Sequence, residues 1–204
     1  NDMTTLGFSQ KAEALVGQEM FKVLDRAKKL ELSGNKVFHL ELGSPTLPPP
    51  KEILEDTINA LKNRQTGYTS SSGLLELREE IGRQYSLNQK NIISVEEVVI
   101  SPANMLVSQF MDLSCNKGDR IVLFSPCFPT YLASSSYSGL DVQEIPLSNS
   151  NGFDLSIEIV DKAISLSPRA IIVNSANNPT GRVYSQSVLE YLARRCDELG
   201  VWLL

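Results

Sequence analysis

The sequence predicts an α/β fold in which a mainly parallel sheet is covered by helices on both faces, giving three layers. From about residue 95 onward, short apolar runs alternate with longer segments of helical character. This alternation is typical of parallel strands joined by helical connections. The apolar runs also lack polar interruptions, as expected of strands that are buried on both faces. Residues 1–45 differ from this pattern and indicate part of a smaller second domain.

The amino-terminal segment combines a helix with one strand-like stretch. Apolar residues recur near helical spacing within residues 1–33, and Ser33-Gly34-Asn35 ends that pattern. Residues 37–42 alternate like a strand, and a proline-rich linker follows. We therefore expect 1–45 to contribute a helix and a strand to a small domain, and 46–204 to form the large domain. The residues that define the helical pattern are Ala14, Leu15, Met20, Val23, Leu24, Ala27 and Leu30.

The remaining elements follow in order along the chain. Helices are predicted over residues 51–63, 74–85 and 185–199, each from apolar residues at helical spacing. The predicted strands are 98–100, 120–124, 141–145, 170–173 and 201–204. Because the last of these reaches the final residue without a turn or cap, we expect the 204 residues to be a fragment that is truncated inside a sheet strand.

Composition excludes several classes of function. The net charge is −5 and no Lys/Arg cluster exceeds a pair, which disfavours nucleic-acid binding. No apolar run reaches the length of a membrane span. The three cysteines show neither a disulfide framework nor the spacing of metal ligands, so we expect no metal site and a reducing, cytoplasmic location.

One turn is the strongest candidate for function. Residues 174–181, Asn-Ser-Ala-Asn-Asn-Pro-Thr-Gly, lie between a predicted buried strand and a helix. Open α/β sheets bind ligands at the carboxyl ends of their strands. Pro179 fixes φ and Gly181 permits a positive φ, so the turn can be rigid and sharply bent. Such a turn directs the Asn178 amide, a donor and an acceptor, towards a ligand.

Three further segments are candidates of the same kind. A helix start is predicted after Ser101-Pro102, so the main-chain N–H groups of residues 103–105 are available to an anion. Prolines on both sides of Phe128 stiffen a loop that can hold its ring against an aromatic ligand, although buried aromatic residues are commoner. Tyr68 lies in a polar loop bracketed by glycines.

These segments together carry a family resemblance. They occur in order and at fitting spacing, and the chain from about residue 10 onward resembles the amino-terminal half of a class I/II aminotransferase, an enzyme of fold type I that uses pyridoxal 5′-phosphate (PLP). The matching motifs are Tyr68-x-x-x-x-Gly73, Leu77-Arg78 with Ile81, Gly118-Asp119-x-Ile121-x-Leu123, Pro126-x-Phe128-Pro129-x-Tyr131 and Asn178-Pro179-Thr180-Gly181.

The resemblance implies a cofactor site. It implies that Asn178 hydrogen-bonds the phenolic oxygen O3′ of PLP and that Phe128 stacks on the pyridine ring. It implies that the main-chain N–H groups of Ala103, Asn104 and Met105 bind the phosphate. Large-domain residues 46–204 would then be the PLP-binding domain.

The resemblance also implies partners. Tyr68 would reach the phosphate in the neighbouring subunit of a homodimer, and Gly43 would approach the substrate carboxylate through its backbone. The substrates would be an amino acid and a 2-keto acid. The lysine that forms the Schiff base is expected beyond Leu204, so we assign no catalytic residue here and expect the fragment alone to be inactive.

Several alternatives remain at this point. A PLP-dependent carbon–sulfur lyase or an enzyme like aminocyclopropane-carboxylate synthase would share every motif quoted. An aminotransferase-like regulatory domain is disfavoured because no basic DNA-binding module precedes the fold. A nicotinamide-binding domain is rejected because no Gly-x-Gly-x-x-Gly turn is present. His39, the single histidine, is expected to be a satisfied core or interface residue and not a catalytic base.

Overall fold

A parallel four-stranded sheet forms the centre of the fold, as the sequence predicts. The computed structural model describes residues 7–13, 19–87 and 92–204. The strand order is β2-β1-β3-β4, and each neighbouring pair is parallel. The strands are β1 (Arg120–Ser125), β2 (Asp141–Pro146), β3 (Ala170–Ile172) and β4 (Trp202–Leu203).

Eight α-helices are found in the described part of the chain, and the three helices predicted over residues 51–63, 74–85 and 185–199 are confirmed to within two residues at each end. They are α1 (Gln10–Glu13), α2 (Glu19–Leu32), α3 (Lys51–Lys62), α4 (Leu75–Leu87), α5 (Ala103–Ser114), α6 (Pro129–Tyr137), α7 (Ile157–Ser165) and α8 (Gln186–Leu199). Local sequence fixes some of these ends. The Ser185 hydroxyl accepts a hydrogen bond from the Val188 N–H at 3.4 Å and so caps α8.

Part of the predicted amino-terminal helix falls outside this description. Met20, Val23, Leu24, Ala27 and Leu30 lie on α2. Ala14 and Leu15 were expected to continue the same pattern, but they lie outside the described residues.

Helices cover both faces of the sheet, which confirms the predicted three layers. Side chains of β1 alternate between the two faces. Val122 and Phe124 pack in one core cluster with residues of α7 and α8, whereas Ile121 and Leu123 pack in a second cluster with Met111 of α5. The sequence of β1 is apolar at every one of these positions because both faces of the strand are buried.

The chain divides into two compact units. One unit consists of Ala103–Leu204 together with Asn1–Glu19, and it contains the whole sheet. Within Asn1–Glu19, the structure describes only residues 7–13 and Glu19. The other is Met20–Pro102 and contains α3 and α4. A division by compactness does not test the predicted domain boundary between residues 45 and 46, which therefore stays a prediction.

Two predicted strands are not found, and both corrections concern the second unit. Residues 37–42 alternate as a strand should, but Phe38 and Leu40 are exposed and no described segment pairs with them. Residues 98–100 form hydrogen bonds with groups that do not belong to a strand. The Ile100 N–H donates to the Ser72 carbonyl at 2.9 Å, and the Val98 carbonyl accepts from Arg78. A strand needs a partner backbone, which apolar content alone does not supply.

Arg78 holds the second unit together from inside α4. Its guanidinium is only 7% exposed, and it donates from Nε to the Val98 carbonyl at 2.7 Å and from Nη2 to the Val95 carbonyl at 2.6 Å. Five donors in a planar fork suit two carbonyls on one irregular segment. Arg78 therefore supplies the hydrogen bond to the Val98 carbonyl that a neighbouring strand would otherwise have made.

Candidate functional site

The topology marks one edge of the sheet as the candidate site. The chain passes from β1 outwards to β2 and then returns to β3 on the other side of β1. The carboxyl ends of β1 and β3 are therefore neighbours whose following loops diverge. Ligands of open α/β sheets bind at such a point. The loop after β1 contains Phe128, and the turn after β3 contains Asn178.

The turn after β3 is held by its own hydrogen bonds. The Asn178 N–H donates to Oδ1 of Asn174 at 2.8 Å, and the Gly181 N–H donates to the Asn177 carbonyl at 2.7 Å. Gly181 has φ +69°, the left-handed conformation that the sequence predicts at this position. Asn178 itself is exposed, so its side chain lies on the surface of a well-fixed turn.

Asn177 connects this turn to the loop after β1, and the sequence did not single it out. Its side-chain Nδ2 donates to the Pro126 carbonyl at 3.0 Å and to Oγ1 of Thr180 at 2.9 Å. Asn177 is 4% exposed, whereas the adjacent Asn178 is exposed. The two adjacent asparagines were the available signal. The buried Asn177 amide bonds within the turn and to the loop after β1, whereas Asn178 is exposed.

A second residue of the turn, Arg182, was also missed. Its guanidinium forms an ion pair with Asp154, with Nη2 2.6 Å from Oδ2. The two residues are separated by a strand and a helix in the sequence, so no local pattern indicates that they meet.

Phe128 lies at the junction between the loop after β1 and α6. Its ring is partly buried and packs edge-to-face on Tyr131, with centroids 5.7 Å apart and planes at 80°. Pro129 begins α6 directly after it. The ring therefore packs against α6, and it lies just past the carboxyl end of β1, at the edge that also carries the Asn178 turn.

The start of α5 belongs to this edge as well. Ser108 and Ser134 hydroxyls are 3.1 Å apart, and the Ser138 hydroxyl donates to Asp112 at 3.3 Å. Both contacts join α5 to α6 with the same residue offset, so the two helices run side by side in one direction. Since α6 begins just past the carboxyl end of β1, α5 begins towards that edge too.

The side chains of the first turn of α5 leave its amino end accessible. Ala103, Asn104 and Met105 are all exposed. A helix amino terminus carries partial positive charge and main-chain donors, which favour an anion. The structure thus brings five of the predicted site residues, namely Ala103, Asn104, Met105, Phe128 and Asn178, to one edge of one compact unit.

Tyr68 and Gly43 lie in the other compact unit. Tyr68 is fully exposed in the loop between α3 and α4. Gly43 is exposed in the segment between α2 and α3. The roles expected of these two residues stay predictions.

His39 also lies in the second unit; of the core and interface positions expected for it, the core position is wrong and the interface position stays a prediction. The residue is exposed, and its ring contacts the Glu31 and Glu41 carboxylates, with Nε2 3.0 Å from Oε1 of Glu31. Hydrogen bonds to Glu41 and Glu31 raise the pKa of His39 above its usual value. The histidine is satisfied, as expected, but by two carboxylates and not by a core.

Cys127 lies beside Phe128, but it is not a reactive thiol. Burial, with a smaller contribution from the Glu144 carboxylate, raises the pKa of Cys127 to about 11. Burial alone likewise raises the pKa of Cys196 to about 11. Because the thiolate is the nucleophilic form of cysteine, both thiols should react slowly with electrophiles in the folded protein.

We expect the two cysteines with raised pKa values to be alkylated slowly by iodoacetamide. Relative to the ordinary cysteine pKa of 9.0, a pKa of about 11 lowers the thiolate fraction about 100-fold, so Cys127 and Cys196 should react much more slowly in the folded protein than in the unfolded chain. Peptide mass spectrometry at successive times measures the three rates. In urea the rates should converge, and rapid labelling of Cys127 in the folded protein would contradict the burial argument.

Metal-ligand clusters and membrane-spanning helices are absent from the part of the chain that the structure describes. Among its residues, no three His, Cys, Asp or Glu side chains converge as metal ligands. No helix in the described ranges is long and apolar enough to cross a membrane. A shallow groove lies at the opposite, amino edge of the sheet, lined in part by Asp119, Arg120 and Arg169.

Comparison with known proteins gives a consistent result. The family model for aminotransferase class I and II matches residues 35–204. A probable aspartate/prephenate aminotransferase of Aquifex aeolicus is 32% identical over 199 residues, covering 97% of this chain and 50% of the relative. The glutamate-pyruvate aminotransferase of Escherichia coli is 31% identical over 191 residues, covering 92% of this chain and 47% of the relative.

Solved structures agree with these sequence matches. The aspartate aminotransferase of Thermus thermophilus with maleate superposes with a TM-score of 0.90 at 28% identity, covering 97% of this chain and 52% of that one. The aspartate aminotransferase of Thermotoga maritima superposes with a TM-score of 0.87 at 27% identity, covering 96% of this chain and 52% of that one. The chain therefore spans about half the length of the relatives that it matches.

Proposed function

Because the chain belongs to the class I and II aminotransferase family, we propose that the complete protein is a PLP-dependent aminotransferase that moves an amino group between an amino acid and a 2-keto acid. The chain spans about half the length of its relatives, so the activity is proposed for the complete protein. One observation carries the proposal beyond family membership. The loop with Phe128 and the turn with Asn178 meet at the edge where open α/β sheets bind ligands, and Asn177 joins them.

The residues at this edge fit PLP in their chemistry. PLP is an aromatic phosphate ester with a ring oxygen that carries negative charge. The edge offers an aromatic side chain, an exposed amide and a helix amino terminus. When bound, PLP supplies an electron-withdrawing ring that stabilises negative charge on the substrate carbon next to nitrogen.

Each residue has a separate task in this proposal. Asn178 donates a hydrogen bond to the ring oxygen and so stabilises its negative charge. Phe128 lies against the ring and fixes its plane. The first turn of α5, at Ala103, Asn104 and Met105, binds the phosphate through main-chain N–H groups. These tasks hold and orient the cofactor, and we assign no proton transfer to them.

The substrate class follows from the relatives. Those described above are named for aspartate, prephenate, glutamate and pyruvate. We propose an amino acid donor and a 2-keto acid acceptor for the present protein, without choosing among them. Gly43 is proposed to approach the substrate carboxylate through its backbone.

We also propose that the active form is a homodimer in which Tyr68 reaches the phosphate bound by the neighbouring subunit. The full exposure of the Tyr68 side chain supports this role only in that it leaves the ring and hydroxyl accessible to a second subunit. The cytoplasmic location indicated by the cysteine pattern is likewise a proposal.

Assay of the complete protein tests the activity. The protein is purified with PLP, mixed with an amino acid and a 2-keto acid, and the products are identified by chromatography. Formation of the new keto acid in equal amount to the new amino acid supports the proposal. Release of ammonia or of a thiol without consumption of the keto acid would instead establish lyase chemistry.

Replacement of Asn178 by alanine tests the site. The variant should raise the apparent pKa of the bound cofactor's visible chromophore by about 1–2 pH units, because the ring oxygen loses a donor that stabilises its charge. A pH titration of the visible absorbance, without substrate, measures this change. Gln186→Ala removes an amide of the same unit that donates to Glu190, and it should leave the titration unchanged.

A further inference from the structure

The turn that carries Asn178 is tied to a distant loop by the ion pair between Arg182 and Asp154. Nη2 of Arg182 lies 2.6 Å from Oδ2 of Asp154, and Nε donates to Oδ1 at 3.1 Å. The contact is therefore bidentate, the geometry in which arginine binds carboxylates most strongly. The same hydrogen bonds lower the pKa of Asp154 below its usual value, so the carboxylate is charged at neutral pH.

The main chain of Arg182 is built into the turn. Its N–H donates to Oγ1 of Thr180 at 3.2 Å, and its carbonyl accepts from the Asn177 N–H at 2.8 Å. Thr180 in turn accepts from the Asn177 side chain. A movement of Arg182 therefore moves Asn177 and Thr180, the two residues that flank Asn178 and Pro179.

The Asp154 side of the ion pair is rigid. Leu155, the next residue, is 3% exposed in the core, and its N–H donates to Oδ1 of Asp154 at 3.0 Å. Phe153, the preceding residue, packs against the same core and has φ +59°. A phenylalanine adopts this left-handed conformation only where its surroundings fix it. Asp154 is thus a fixed point to which the turn is attached.

We propose that Arg182 and Asp154 are a pair of positioning residues that hold the Asn178 turn in the conformation in which the Asn178 amide meets the cofactor. This inference rests on the proposed function for its consequence, but its structural part stands on the contacts alone. Exposed ion pairs usually contribute little to stability, and both side chains are more than a third exposed. The effect of this pair is therefore expected in the conformation of the turn and not in the overall stability.

Hydrogen exchange in the complete protein tests the structural part. In Arg182→Ala, and equally in Asp154→Asn, peptides covering residues 175–183 should exchange about tenfold faster, because the N–H groups of Asn177 and Gly181 lose their fixed partners. Arg182→Lys should restore part of the protection, since lysine keeps the charge and loses the fork. Unchanged exchange in Arg182→Ala would overturn the proposal.

A matched control is available at the opposite edge of the sheet. Arg120 pairs with Asp141 at 2.9 Å, and the exposed fractions of the two side chains are close to those of Arg182 and Asp154. Asp141→Asn removes an ion pair of the same kind away from the turn. Its exchange over 175–183 should equal that of the parent protein, and faster exchange there would mean that loss of any such pair loosens the unit.

Titration of the cofactor chromophore tests the functional part. Arg182→Ala should raise the apparent pKa of the chromophore in the same direction as Asn178→Ala, and it should add no further change when combined with Asn178→Ala. Faster exchange together with an unchanged chromophore would overturn the positioning role. If the protein binds no PLP, or if Asn178→Ala alone leaves the titration unchanged, the proposed function fails, while the exchange result still decides whether the pair fixes the turn.

Discussion

Replacing Gly73 with alanine is expected to lower the free energy of unfolding by about 2–5 kcal/mol, because the new methyl group has no space and the backbone conformation resists it. A Cβ built on Gly73 lies 2.6 Å from both Cβ and Cγ1 of Ile100, and the residue has φ +102°. Ile100 cannot withdraw freely, since its N–H is bonded to the Ser72 carbonyl at 2.9 Å. Urea unfolding of the purified protein measures the change.

Gly67, in the same loop, provides the matched control. A Cβ at Gly67 meets no atom within 4 Å, and its φ lies outside the left-handed range. Gly67→Ala should therefore change the unfolding free energy by less than about 0.5 kcal/mol, as for ordinary surface substitutions. Equal effects at the two glycines would contradict the account of Gly73, because they would show that loop flexibility matters and local space does not.

The contrast between these glycines illustrates what sequence alone cannot supply. Both bracket the polar loop around Tyr68, and a motif search treats them alike. Only the structure reveals that Gly73 faces Ile100 while Gly67 faces open space. The distinction depends on a contact between segments that are 27 residues apart, and local patterns carry no information on such a meeting.

The strands show the same limit of prediction from sequence alone. β1 and β3 were predictable because full burial requires apolar residues at every position, and that pattern is visible in the sequence. Residues 37–42 and 98–100 have equally suggestive patterns, but a strand also needs a partner. At 98 the partner is the Arg78 guanidinium, which is buried in α4. The residue pattern of one segment shows that it could form a strand, but it does not show which backbone, if any, lies beside it.

The residues of the candidate site also differ in whether a local sequence pattern indicates them. Phe128 and Asn178 could be proposed from the sequence because prolines stiffen their segments and because each segment follows an apolar run. The supporting residues could not, since Asn177, Arg182 and Asp154 act through contacts with distant segments. The residues proposed to contact a ligand are thus easier to select from the sequence than the residues that contact them from distant segments.

Replacing Asn177 with aspartate is the second change with a large expected effect, about 3–5 kcal/mol of unfolding free energy at pH 7. The side chain keeps its shape but cannot donate when ionised. Its carboxylate would face the Pro126 carbonyl and Thr180 Oγ1, both of which now accept from Nδ2, in a position that is 4% exposed. An unpaired charge buried beside a carbonyl oxygen costs more free energy than the lost hydrogen bonds alone.

The pH dependence separates this explanation from a simple loss of packing. Burial should raise the pKa of the introduced carboxyl in the folded protein above about 3.9, its value in the unfolded chain. The destabilisation should therefore grow as the pH rises from about 3.9 through the folded-state pKa, and it should shrink at lower pH, where the protonated carboxyl can again donate to Pro126. Asn174→Asp is the control, because Oδ1 of Asn174 only accepts the Asn178 N–H and a carboxylate accepts equally well. A loss of stability in Asn177→Asp that is the same at pH 4 and pH 7 would show that the amide fills space and does not link the two loops of the candidate site.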